Sequence, residues 1–464
     1  MKKIKSRLEV LSGNELMLIH GNALKILDEI GMKVPNDELL KMCREHGCTI
    51  RDGQILSFPK KIMEAYIEKM RAESLPKIGE DAHKLSGQLS TQVTLVDYAT
   101  KTRRYGLRDD NLKGIKLCEY LDNIPKTGAA VVPSDVPYDI ADAVSVADIQ
   151  KYSTNPGSTY VLTPTGAKYV QMINELLGIK GWYLLEVISP LSYKADTLEM
   201  SLHFAKNGAS LSIAPMAQSA ATAPITVSGT LALQTAEVLG SSFLVYVMTG
   251  EYPHLGMSCH SSDPKTMLCS FGSPNQALFA VATSQIARYY GVQGGANTAL
   301  TDALMPDFQS GFEKGVTAAL SSASGLCSIG CQGIVGADQG FSYEQLVIDN
   351  EWLGYLNYIM SGFDVTEESI GYDVIKEVGI MGNFLGEEHT VEYMRDSYWV
   401  SEIFSRYDWS NWQINGSKTI LERSHEFVEH VTADYKNIEP VLSADKCKEL
   451  DKIVAQAYRE AAAV

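Results

Sequence analysis

The stretch from Asn297 to Glu351, NTALTDALMPDFQSGFEKGVTAALSSASGLCSIGCQGIVGADQGFSYEQLVIDNE, sets small, turn-forming and acidic residues beside apolar runs. Such alternation marks the place where a strand ends, a loop opens and a helix begins, and Asp307 is positioned to start a helix over FQSGFEKGVTAAL. Working outward, short apolar runs alternate with segments of helical periodicity. The runs are QVTLVD (92–97), GAAVV (128–132), TYVLTPT (159–165), YLLEVIS (183–189), SLSIAP (210–215), LGMSCH (255–260), VQGGAN (292–297) and CSIGCQG (327–333). Buried parallel strands read as such runs, and eight βα units closed on themselves make an α/β fold of the TIM (β/α)8 barrel type.

The flanks read differently. Ser12 and Glu15 form a capping box before a helix that runs through Ile30 and stops at Gly31. TIRDGQILSFP then predicts a hairpin turning at Asp52–Gly53, and Pro59 opens a further helix through Met70. After Gly362, DVTEESIGYDVIKEVG and SKTILERSHEFVEHVT are again helical. The expected organisation is a helical and hairpin cap over 1–88, the barrel over 89–362, and a C-terminal helical extension over 363–464 packed on the barrel.

With 464 residues and 45% hydrophobic content, the chain has enough apolar surface for a large core, which excludes a disordered protein. The sequence reads as having no apolar run near the roughly 20 residues of a membrane span, and MKKIKSRLEV lacks the apolar core of a signal peptide. Eight scattered cysteines in so large a chain fit reduced thiols, hence a cytoplasmic protein. A net charge of -16 disfavours nucleic acid and points to small molecules or proteins as partners.

In a barrel of this kind the site lies just beyond the strand ends. That rule singles out Asp97 and Tyr98, Ser134 and Asp135, Glu186 and Ser189, Met216 and Gln218, His260 and Asp263, Asn297 and Asp302, and Gln332 and Asp338. Each also admits a plain reading as a loop cap or strand-end hydrogen-bonding group.

The stretch at 297–351, with PMAQSAATAPITVSGTLALQTAEVLG from Pro215 and VIKEVGIMGNFLGEEHT from Val374, resembles the trimethylamine methyltransferase superfamily. The order and spacing of these segments extend the resemblance over nearly the whole chain. It implies the same barrel and the transfer of a methyl group from a methylated amine to the cobalt(I) of a corrinoid carried by a separate protein. No cofactor is then held permanently, and the barrel's task is positioning.

Relatives that act on trimethylamine contain pyrrolysine, which makes the tertiary amine quaternary-like. Here TDALMPDFQSG, the neighbourhood in which that residue is expected, consists of ordinary residues. A quaternary nitrogen leaves as a neutral tertiary amine without needing a proton, so the departure shifts the expected substrate to a quaternary amine, glycine betaine first. Proline betaine and carnitine share its head group, and the sequence does not separate them.

Ring faces attract a trimethylammonium head, and Tyr98, Phe308, Phe341, Tyr343 and Phe384 are the candidate rings, each equally readable as packing. Asp97, Asp302, Asp307 and Glu313 either supplement such a cage or cap helices, capping being the better reading for Asp307. Gln309 and Asn297 complete the polar candidates around substrate. For the substrate carboxylate His389, in GNFLGEEHT, is preferred and His260 is the second choice; the competing reading of His389 is an ion-paired surface residue. Gly294, Gly295, Gln332 and Gly333 are the residues expected to let the corrinoid approach.

Zinc is disfavoured. His254, Cys259, His260 and Cys269 match no ligand spacing, strand alternation sends Cys259 and His260 to opposite faces, and a quaternary nitrogen has no lone pair to coordinate. GVQGGANT lacks the residues of a phosphate loop. Two other classes stay open: a barrel enzyme of different, metal-dependent chemistry, and a non-catalytic protein that binds quaternary ammonium ligands. The helical termini are candidate interfaces for a homo-oligomer.

Overall fold

The computed structural model describes residues 7–74, 85–87, 89, 91–326, 332–395 and 397–463. At the N-terminus, Ser12 accepts from the Glu15 N–H at 3.4 Å while the Glu15 carboxylate accepts from the Ser12 N–H at 2.7 Å, which starts the helix Gly13–Lys25. The helical path continues over Ile26–Ile30 and ends at Gly31. There φ is +78° and a Cβ would lie 2.4 Å from the Leu56 carbonyl oxygen, so only glycine fits. The expected hairpin joins Thr49–Arg51 to Ile55–Ser57 through Asp52 and Gly53, both at positive φ, and Met32–Lys33 adds a third antiparallel strand.

This cap shares its core with the main body. Phe58 and Tyr66 meet Phe243 edge-on at centroid distances of 5.8 and 5.2 Å, and the Tyr66 hydroxyl is 2.6 Å from Ser242 Oγ. Phe243 and Ser242 belong to the helix Val227–Thr249. That helix corrects the expectation about membrane spans: it is long and apolar enough to cross one by length and composition. Here, though, 83% of its apolar window is buried within the fold. Its polar residues, Gln234 and Glu237 among them, bond to strand-end loops, which explains an apolar helix with buried polar groups.

The body is α/β; among the described residues three of its strand pairs are parallel and three are short antiparallel pairs. Trp182–Val187 pairs with Ser210–Pro215 over six residues, Leu255–Met257 with Gly294–Ala296, and Gly340–Phe341 with Thr94–Val96. Single parallel bridges link Leu89 to Gln332, Gln92 to Val131, Thr127 to Pro156 and Gln218 to His260. The helices Ala195–Lys206, Val227–Thr249, Pro274–Tyr289 and Phe308–Ser324 connect successive strands, and Tyr343–Ser361 follows the last of them. Among the described residues the ladders form five separate sheets, not one continuous one.

GAAVV contributes a single bridge at Val131, with another just before it at Thr127, and TYVLTPT forms no strand, the nearest bridge lying at Pro156. QVTLVD turns back through an antiparallel hairpin, Arg103–Tyr105, before its helix begins at Arg108. Residues 327–331 of CSIGCQG, with Cys327 and Cys331, lie outside the described residues.

The C-terminal extension behaves as two parts. Helix Ile420–Val431, capped by Thr419 and Glu422, packs Val428 and Val431 into a core with Phe341, Leu346 and Trp352. Helix Ala444–Ala461 buries Leu450 and Ala457 in the main core. Between 361 and 402, in contrast, no described residue is buried. This arm's short helices, Glu367–Ile370, Tyr372–Val378 and Glu388–Tyr393, are too brief to present a continuous apolar stripe to the core, and its contact with the body comes near its end, where Trp399 meets Tyr355 edge-on at 5.3 Å and the Tyr358 hydroxyl donates to the Ser397 carbonyl at 2.5 Å.

Candidate functional site

Within each parallel pair the strand ends lie on the same side, and buried polar side chains follow them. His260 follows Leu255–Met257 and is fully buried. Its Nδ1 is 3.1 Å from Gln276 Oε1, its Nε2 is 3.4 Å from Asn297 Nδ2, and its ring lies 4.1 Å from that of Phe271. The Gln276 amide donates to the Asn297 carbonyl at 2.5 Å, which turns its Oε1 toward the imidazole. The network thus fixes the tautomer: Nδ1–H donates to Gln276 and Nε2 accepts from Asn297. Burial pushes the imidazole down to about 4, so it is neutral.

The adjoining loop is laced by carboxylates. Asp302 accepts from Ser270 Oγ at 2.5 Å and from the Phe271 N–H at 2.6 Å. Glu313 accepts from Thr301 Oγ1, the Asp302 N–H and the Gln309 amide at 2.6, 2.9 and 2.8 Å. Asp307 accepts from the Ser310 N–H and caps Phe308–Ser324, the capping reading. Farther round, Gln92 donates to Asp338 at 3.0 Å, and burial raises that carboxyl to about 6. Ala337 and Asp338 both sit at positive φ, a strained pair that holds the carboxyl in place. Glu237 accepts from Ser189 Oγ and the Leu191 N–H, each at 2.8 Å, and is pushed up to about 7 by burial.

Among the expected residues, His260, Asn297 and Asp302 come together. The others have different neighbours. Asp97 accepts from the Thr100 N–H and hydroxyl and holds the hairpin turn, bonds that lower its pKa. Tyr98 stacks on His425 at 3.8 Å, whose Nδ1 is 2.9 Å from Glu344. Phe341 is enclosed in the core, and the Tyr343 hydroxyl donates to the Asp110 carbonyl at 2.9 Å while Lys113 Nζ occupies its ring face at 5.1 Å. Phe308 is 88% exposed and pairs with Phe312 on the outer face of its helix. Phe384 and His389 belong to the arm, where His389 Nε2 donates to the Glu368 carbonyl at 3.1 Å and its ring leans on Tyr393.

Gly294 faces Ala287 on the helical side, whereas an added Cβ at Gly295 would meet nothing within 4 Å. Gln332 is buried beside Leu89, and the Gly333 N–H donates to Asp349. Gln276 escaped sequence reasoning because it lies inside a helix, away from any strand end, with only its place just after the Pro274 helix start as a signal. Among the described residues no group of three or more His, Cys, Asp or Glu is arranged to hold a metal ion.

The fold and these groups define a class: an α/β protein in which buried histidine, amide and carboxylate side chains follow the ends of parallel strands. The chain belongs to the trimethylamine methyltransferase family, the sequence model described as "Trimethylamine methyltransferase (MTTB)" matching residues 1–462. It is 26% identical over 448 residues to a trimethylamine methyltransferase of Desulfitobacterium hafniense, covering 91% of this chain and 89% of that one. It is 25% identical over 482 residues to a glycine betaine methyltransferase of the same species, covering 99% of each. A solved structure of the monomethylamine methyltransferase of Methanosarcina barkeri is similar at 12% identity and a TM-score of 0.44, over 95% of this chain and 97% of that one.

Proposed function

We propose that this chain transfers a methyl group from a quaternary amine, glycine betaine first, to the reduced cobalt of a corrinoid bound by a separate protein. In this reading the strand pairs are arcs of one (β/α)8 barrel and the enzyme works in the cytoplasm. The observation that carries it is the state of His260. The histidine at this rim is held neutral by burial, which suits a methyl donor that departs without a proton. The full-length similarity to a glycine betaine methyltransferase supports the same substrate class.

In the transfer the C–N bond breaks and its electron pair stays on nitrogen, giving dimethylglycine, while the methyl carbon accepts its new pair from reduced cobalt. The chain's own residues grip and aim the donor. Gly295, with open space at its Cβ position, leaves room at the strand wall.

Self-association belongs to the same proposal. Ile380 and Met381 are 98% and 99% exposed on an arm in which no described residue is buried, and apolar surface of that kind is characteristic of an interface between copies. The test of function mixes the protein with a reduced corrinoid protein and glycine betaine, proline betaine or carnitine and follows the demethylated amine by mass spectrometry. Dimethylglycine is expected from the first; no demethylation of any of the three overturns the reading.

A further inference from the structure

We propose that Glu186 is the anionic partner of the substrate's quaternary nitrogen, in a pocket inside the strand wall bounded by Ala214, Gly256 and Gly295. This rests on the methyl-transfer reading and deepens it. Along Trp182–Val187, Tyr183, Leu185 and Val187 are buried in the core beneath the helices, so alternation turns Trp182, Leu184 and Glu186 to the opposite, inner face. The Trp182 indole donates to Ser212 Oγ at 2.8 Å, which places the alternate residues of the next strand on that face as well. Glu186 lies near the C-terminal end of its strand, where sites on parallel strands form.

The neighbouring wall is bare. Glu186 is in register with Ala214. Gly256 abuts the preceding residue, with the Ile213 carbonyl oxygen 2.8 Å from any Cβ added there, and must stay without a side chain. Gly256 is in register with Gly295, whose Cβ position faces open space. Below this level Leu184, in register with Ser212, and then Trp182 supply apolar surface. A carboxylate at the rim of a space lined by small residues, over an aliphatic and an aromatic side chain, matches a group that is apolar in surface and positive in charge.

Among the described residues Glu186 has no hydrogen-bond or ion-pair partner. Glu186 is solvent-exposed; partial desolvation raises its pKa, and the exposed Lys194 is the cation whose field opposes that shift. A trimethylammonium group donates no hydrogen bonds, so its counter-charge needs proximity and no directed geometry, the condition in which Glu186 is found. The positive charge disappears as the methyl leaves. An anion beside it therefore stabilises the bound substrate more than the transition state, and its loss falls on KM more than on kcat.

The test compares glycine betaine with its carbon isostere, 3,3-dimethylbutanoate, which keeps the carboxylate and replaces the cationic head by an uncharged tert-butyl group, by titration calorimetry, with tetramethylammonium as a second probe bearing the cationic head. Wild type is expected to prefer both cations over the isostere. Glu186→Gln is expected to weaken both cations about tenfold while leaving the isostere within about twofold, the order for one partly screened charge. Gly295→Val, compatible with a strand, is expected to weaken all three ligands by filling the space. Should wild type bind and demethylate glycine betaine while Glu186→Gln keeps the cation preference and KM of wild type, the assignment of Glu186 is overturned and the methyl-transfer reading stands. Should wild type bind neither cation, both fall. A Gly295→Val protein that melts like wild type and binds all three ligands as wild type does also overturns the pocket.

Discussion

Removing Asp349 tests how the site's scaffold is held. Asp349 and Lys314 are both fully buried and lie 2.8 Å apart, joining Phe308–Ser324 to Tyr343–Ser361. The same carboxylate accepts from the Gly333 N–H at 2.8 Å, the Gln345 amide at 2.7 Å and the Trp352 indole at 2.8 Å. Asp349→Ala leaves an ammonium in the interior without its counter-charge and strands three neutral donors. A buried charge deprived of its partner costs about 3–5 kcal/mol, and the stranded donors, at about 1–3 kcal/mol each and non-additive, put the total at the upper end. The double variant Lys314→Met/Asp349→Leu removes the charge together with its partner and is expected to recover more than half of that loss, because apolar residues of similar size replace a desolvated pair. Urea unfolding followed by tryptophan fluorescence reads both, Trp352 being a direct contact. A loss under about 1 kcal/mol in Asp349→Ala, or a double variant no more stable than the single one, would refute the reasoning.

Three further outcomes are expected. His260 has an ordinary value of 6.5 when unfolded and about 4 when folded, so between those values only the unfolded chain takes up the proton; stability drawn from this group is complete above pH 6.5 and declines by up to about 3 kcal/mol as pH falls to 4. Asp142, Asp338 and Glu237, raised to about 6, 6 and 7, act in the opposite sense, so the quantity to measure is the stability difference between wild type and His260→Gln across that range; a difference independent of pH contradicts the burial argument. Ile380→Ser/Met381→Ser should shift sedimentation toward the monomer, and a wild type already monomeric at micromolar concentration removes the case for self-association. Gly31→Ala should lower stability by about 2–3 kcal/mol through strain plus collision with Leu56, against about 1 kcal/mol for Gly53→Ala, where φ is +76° but space is open; equal melting shifts would show that the collision relaxes.

The sequence determined what depends on contacts a few residues apart. The capping box at Ser12–Glu15, the stop at Gly31, the turn at Asp52–Gly53 and the Asp307 cap involve hydrogen-bond partners within five residues and appear where read. Apolar runs at 183–189, 210–215, 255–260 and 292–297 became strands because burial on one or both faces demands such composition. Tertiary structure decided the rest. Tyr98 is stacked by His425, Tyr343 is claimed by Asp110 and Lys113, and His260 is neutral because Gln276, Asn297 and Phe271 enclose it; those partners are distant in the chain, so no local pattern announces them. Which residues of a strand face inward together is fixed by the register between Glu186 and Ala214 and between Gly256 and Gly295, and register is a property of paired chains, not of either one alone.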